Sequence, residues 1–389
     1  MISPSPVQSI TEPAADERAA IKPRFSHLPI APAPVTVRQA SAQEEAGWDE
    51  LVMRFPHHRI FHKRCWLNLI KATAQVKPLN LVFVRGSEVV GCIPGFVMIR
   101  CGVRIYGSAL PGWQTLSMGP LFDPDRVSTR DLVCALLPFL EKKHGIHHVE
   151  ITTPDLDPET MQDLGFEGEP VFTLKARLLP GRPDELFNSL PKKARRNIRK
   201  GTNLGVVINV EEDESFVEEM YDQIIEAYTR NGAAVPFTRQ RVLECFRLTR
   251  ASGNLMALSI SHPDDGVKIA AAMYMIEGTE MTMWAWAHRT RYRSFYPTEV
   301  MTWTAMSKAM ERGCDTFDMA GGNDFKRKFG AEPSTTVYRW IRSRYLWLGT
   351  ARTMAQKAYR WQQSVRGNMA RKKVTAATPA SGEEEESSE

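Results

Sequence analysis

From Leu81 the hydrophobic positions of this chain recur with a period of two: Leu81–Arg85, a turn at Gly86-Ser87, then 89–98, which predicts a hairpin. Upstream, Val35 and Val37 alternate with polar neighbours and predict a strand over 35–39; Ser41 is placed to cap a helix over 42–54. A helix over 63–74 carries Trp66, Leu67, Leu69 and Ile70 on its apolar side. The segment 103–122, richer in Gly and Pro, predicts further strands and a long loop. The period then becomes helical at Leu132, Leu136, Leu137 and Leu140, with Gly145 as the stop, and strands at 147–152 and 170–178 flank a short helix at 159–164. A similar order returns without any sequence repeat. Helices at 216–231 and 239–251 precede strands at 255–261, 268–276 and 280–287. A helix at 299–313, a strand at 316–319 and β character over 336–347 follow. The series predicts an α/β fold of mixed sheets (α+β in character) rather than one long parallel sheet.

Composition adds limits. At 389 residues the chain suits two domains, and no apolar run reaches the roughly 18 residues of a membrane span. The start lacks the basic and apolar blocks of a secretory signal, so the cytoplasm is the expected location. Residues 1–34, rich in Pro, Ala and Ser, and the acidic tail 374–389 are expected to be disordered. Net charge is +5 despite five Glu in the last nine residues, so the body is basic and predicts anionic partners. Six cysteines without a C-x-x-C pair read as buried thiols. The clustered histidines lack neighbouring ligands, and no metal is expected.

Three segments concentrate chemistry. In 191–200 six of ten residues are basic and none acidic; Leu190, Ala194 and Ile198 form a docking stripe, and Gly201 reads as the helix stop. Arg195, Arg196 and Arg199 are the candidates there for holding an anionic substrate. A second segment leaves a strand through Asp318-Met319-Ala320-Gly321-Gly322 and continues to Phe325-Lys326, with Phe325 and Phe329 placed to anchor the backbone around Lys326. The third, 284–297, alternates Trp284 and Trp286 with alanines, which predicts that both face one cleft. It then enters a helix beside Arg291 and Arg293, a good position for phosphate.

Read in order, these segments resemble the FemAB-like and CelD-like branch of the GNAT acyltransferases, over about 35–345. Lys-Lys-Ala-Arg-Arg-Asn-Ile-Arg-Lys and the Gly-Gly–Phe-Lys-Arg-Lys-Phe-Gly run carry most of the likeness. The resemblance implies a tandem pair of GNAT-type units, 35–180 and 181–349, with the active site in the second; beyond them the residue pattern predicts a basic helix over 350–373. It implies acyl or aminoacyl transfer to an amine acceptor, with Lys326 positioning or stabilising the acyl-transfer centre. The loop that cradles a CoA pyrophosphate in typical GNAT enzymes is Gly-rich, whereas 289–296 contains no glycine. The activated donor is therefore open among acyl-CoA, an acyl carrier and an aminoacyl-tRNA. The expected mechanism is direct attack of an amine on an ester or thioester. Lys326, with Arg196, supplies positive charge, and Asp318, Glu299 and Tyr296 are candidate proton acceptors. The rival readings are a non-catalytic polyanion- or nucleic-acid-binding protein and a degenerate GNAT scaffold in envelope or polysaccharide assembly.

Overall fold

The computed structural model describes residues 33–354 apart from 322, 323 and 335, and beyond them 357, 358, 362 and 365. The leader and the acidic tail, with most of 350–373, lie outside the described residues. Three sheets organise the rest. A four-stranded sheet takes, in spatial order, Val35–Gln39, Leu81–Arg85, Glu88–Ile93 and Leu121–Phe122. A six-stranded sheet takes Lys77–Pro78, Phe96–Arg100, Val103–Ser108, His148–Thr153, Tyr338–Ser343 and Glu167–Pro170. A seven-stranded sheet takes Val207–Val210, Leu255–Ser261, Lys268–Glu277, Glu280–His288, Thr316–Asp318, Thr173–Arg177 and Ala331–Ser334. This is the mixed α/β fold that the hydrophobic pattern predicts.

Long-range pairing redraws several expected boundaries. The run 89–98 is two strands in different sheets. Pro94 has no N–H for a ladder, and a Cβ on Gly95 would lie 2.2 Å from the Tyr106 hydroxyl oxygen, so the chain changes sheet there. The run 170–178 likewise divides between two sheets, and the β character expected to 347 ends at Ser343, with 346–354 helical. Four cysteines are buried as expected, but Cys101 and Cys134 are exposed.

Each half contains one parallel strand pair, Val103–Ser108 with His148–Thr153 and Glu280–His288 with Thr316–Asp318. Each pair is then extended by an antiparallel strand from elsewhere in the chain. Thr173–Arg177 lies against Thr316–Asp318, and Tyr338–Ser343 lies against His148–Thr153. The halves thus exchange a strand. They also share one core, in which Trp48 and Trp66 join Phe216 and Phe246. Arg241, buried, adds a polar tie: its Nε donates to Gln114 Oε1 at 3.0 Å and its guanidinium also reaches the Trp113 carbonyl. In the seven-stranded sheet, helices Phe216–Arg230 and Arg239–Ala251 cover one face, and Lys192–Asn203 and Pro297–Glu311 lie on the other. Among the described residues no helix is long and apolar enough to cross a membrane.

Candidate active site

The strands Glu280–His288 and Thr316–Asp318 pair from Glu280/Thr316 to Thr282/Asp318 and then separate. The longer strand continues to His288, while its neighbour turns away through Ala320, whose φ of 54° is unusual outside glycine. Among the described residues no strand pairs with that edge beyond Thr282, so backbone donors and acceptors from 283 onward are left along a gap.

A β-bulge sits at the mouth of this gap. Met273 pairs with Ala285 and Tyr274 with Met283, so Trp284 is an extra residue on its strand. The extra residue reverses the alternation of faces. Trp284 packs toward the shared core, with its ring 5.6 Å from that of Phe237. Trp286 turns to the opposite face, stacked on Phe325 at 6.2 Å and on His288 at 5.8 Å. The two tryptophans do not share a cleft as strict alternation predicts; the bulge separates them.

Across the gap, Lys326 is 7% exposed and its ammonium donates to three backbone carbonyls, Met319, Ala320 (3.1 Å) and Gly321 (3.0 Å). The group expected to point at a ligand is instead wrapped by the strand exit. Burial lowers its pKa, and the nearby Asp318 carboxylate opposes that shift. Asp318, itself buried, accepts from the Ala320 N–H at 2.8 Å and from the Thr173 hydroxyl, with Lys175 Nζ at 3.7 Å. Burial raises its pKa against those three influences. Both residues hold the shape of the loop 319–321.

The basic helix Lys192–Asn203 packs on the opening of Pro297–Glu311. Gly201 is not the stop but lies inside this helix, because a Cβ there would fall 2.5 Å from Val300 Cγ2 and 2.7 Å from the Phe295 carbonyl oxygen. Close approach lets the Asn197 amide donate to Glu299 Oε1 at 3.0 Å. Arg199 lies over the Phe187 ring at 5.2 Å, Arg195 is half-buried, and Arg196 is exposed with Lys192, Lys193 and Lys200. Tyr296, at φ 53°, turns the chain into Pro297–Glu311. Arg291 and Arg293 are exposed on the preceding turn, Arg291 held over Tyr292 at 4.6 Å. His288 joins this group unforeseen. It is half-buried at the end of the bulged strand, and burial, reinforced by Arg230, lowers its pKa against Glu226 and Glu299.

On the other face, where the strands are still paired, a cleft opens between the halves. Arg54, His57, His58, Glu277, Glu280 and Thr282 line it. Among the described residues no group of His, Cys, Asp and Glu stands ready to hold a metal ion.

Residues 188–327 match the family model of the acetyltransferase (GNAT) domain, an interval that contains every site residue expected from the sequence, while Thr173 and Lys175 lie outside it. The parted parallel strands lie within this interval. The chain is similar in fold to the crystal structure of FemX, at 14% identity and a TM-score of 0.62, covering 78% of this chain and 96% of that one. It is also similar to a tandem GNAT protein from the clavulanic acid biosynthesis pathway, at 14% identity and a TM-score of 0.50, covering 80% and 98%. The fold is that of a tandem pair of GNAT units. No curated protein matches the chain.

Proposed function

We propose that the protein transfers an acyl or aminoacyl group from an ester or thioester on a polyanionic carrier to an amine. The observation that carries this reading is the unpaired strand edge from 283, which faces a strand exit locked by Lys326 and is flanked by a helix with six bases. The reactive end of the donor satisfies that edge with its own hydrogen-bonding groups, its carbonyl lying between Trp286 and His288. The attacking amine enters at the open end of the gap, beside His288. Its nitrogen bonds to the carbonyl carbon, the C–O or C–S bond breaks, and the leaving oxygen or sulfur takes a proton. His288, neutral near pH 7 because burial depresses its pKa, accepts the proton the amine loses, with Glu299 beside it. Lys326 keeps positive charge behind the oxyanion while fixing the loop; Asp318 and Tyr296 shape backbone.

The helix Pro297–Glu311 offers its N-terminus poorly to a pyrophosphate, since Glu299 already occupies the first turn and Gly201 closes over Phe295 and Tyr296. The exposed bases of Lys192–Asn203 are better placed for a long polyanion, which favours aminoacyl-tRNA over acyl-CoA as donor. Supplying acetyl-CoA, an acylated carrier protein and aminoacyl-tRNA in turn, with a panel of primary amines, tests this by mass spectrometry. N-acylated product from aminoacyl-tRNA supports the reading, and product from acetyl-CoA alone replaces the donor. Tight nucleic-acid binding without any product would return the chain to a binding or scaffold role.

A further inference from the structure

The C-terminal end of the described fold carries an apolar surface that the acyl-transfer reading does not use. After the strand Tyr338–Ser343 the chain enters a helix at 346–354, which is pinned through one face. Leu348 is buried, and Arg352 donates to Glu150 Oε1 at 2.7 Å and to Glu169 Oε1 at 2.7 Å across the six-stranded sheet. The pinned spacing of four residues fixes which face turns outward. That outward side presents Leu346 at 97% exposure, Met354 at 66% and Trp347 at 61%, with Tyr345 stacked beside Trp347 at 6.4 Å. Isolated exposed apolar residues are ordinary, but four large ones at the start and along the outward side of one pinned helix are a surface kept for a partner.

Charge names the partner. From 333 to 382 the chain has ten Lys and Arg and neither Asp nor Glu. Arg344, over the Tyr345 ring at 5.5 Å, and exposed Lys357 bring that charge beside the apolar group. We propose that this segment docks on an anionic lipid surface. Trp347, Leu346 and Met354 enter the headgroup boundary, and the surrounding bases lie among lipid phosphates, as an interfacial helix does without spanning. Nucleic acid would satisfy the bases and stack on Trp347 and Tyr345, but it gives exposed Leu346 and Met354 nothing to bury against. A bilayer satisfies all of them. The docked helix would hold the attached catalytic fold next to the membrane, where an amine-bearing acceptor at that surface is within reach.

The test is co-sedimentation of the full chain with vesicles of phosphatidylcholine alone and with one-third phosphatidylglycerol, alongside the double variant Leu346→Gln/Trp347→Ser. These side chains are exposed, so the unfolding midpoint should hold and a binding loss reads the surface. The expected result is binding to the anionic vesicles at least tenfold tighter than to the neutral ones, and at least tenfold weaker in the double variant. Equal binding to both vesicles, an unaffected double variant, or no vesicle binding with loss of tRNA affinity or of a dimer in the double variant would each overturn the proposal.

Discussion

At the scale of single residues, Lys326 is where sequence and structure say different things about one side chain. Its position after a glycine-rich strand exit and between two phenylalanines marks it from sequence. Its partners are invisible there, because they are carbonyls gathered only when Ala320 takes a left-handed conformation. Replacing Lys326 with Met leaves the buried Met319 carbonyl and the partly buried carbonyls of Ala320 and Gly321 short of a donor, a buried unsatisfied group costing about 1–3 kcal/mol. We expect Lys326→Met to lower stability by at least about 2 kcal/mol in denaturant unfolding and to slow transfer by at least about tenfold. Full stability would show that the carbonyls find water. His288 makes a different prediction. Its pKa lies below its ordinary 6.5 because burial disfavours the charged ring, so the base is in its active neutral form at pH 7 and is lost as pH falls through that lowered value. The rate should therefore be flat near neutrality with an acid limb below 6.5, and His288→Gln should slow the reaction and abolish that limb. A limb unchanged in the variant assigns the base elsewhere. His288 was legible in sequence only as the end of a tryptophan-rich strand; its neighbours Glu226, Arg230 and Glu299 come from other elements.

Among elements, helices with long apolar stripes such as Phe216–Arg230 and Arg239–Ala251 were legible to within a residue, because stripes and caps are local, whereas the helix expected over 42–54 is divided at Gly47 and Pro183–Ser189 was not foreseen. Ser41 accepts from the Glu44 N–H at 3.2 Å and Ser128 from that of Asp131 at 3.1 Å, as capping residues should. Strand boundaries were less legible: whether 89–98 is one strand or two depends on which distant strand each part meets, and the bulge at Trp284 follows from pairing with Met273 and Tyr274. The basic helix combines both cases. Its stripe of Leu190, Ala194 and Ile198 is buried as its spacing predicts, yet Gly201 acts through contacts 94 and 99 residues away in sequence, at Phe295 and Val300. Its outer row Lys193, Arg196 and Lys200 is exposed and makes a clean test. Changing all three to Gln keeps helix propensity and should weaken donor binding, with a smaller salt dependence and an unchanged unfolding midpoint. Donor affinity that holds across a salt titration would make the row a solvated face.

For the molecule as a whole, the sequence pattern shows two similar halves but not their exchange of strands, since Thr173–Arg177 and Tyr338–Ser343 each look like the last strand of the half they follow. With a shared core and Arg241 between the halves, a cut near residue 180 leaves a sheet element on the wrong side in each fragment, Thr173–Arg177 in one and Tyr338–Ser343 in the other. Residues 35–180 and 181–349 made separately should lack cooperative thermal transitions and regain one only when mixed. Two independent transitions would show that the exchange is dispensable.

The placement of donor at the parting of Glu280–His288 from Thr316–Asp318 underlies the functional reading, and hydrogen–deuterium exchange with the turnover-competent donor measures it directly. The strand edge beyond Thr282 has no strand partner among the described residues, so its amides should exchange readily alone and become protected when the donor's reactive end seats along them. Peptides covering 283–288 and 319–321 should slow together on donor addition. Donor-dependent protection confined to other segments, with 283–288 unchanged, would contradict the account.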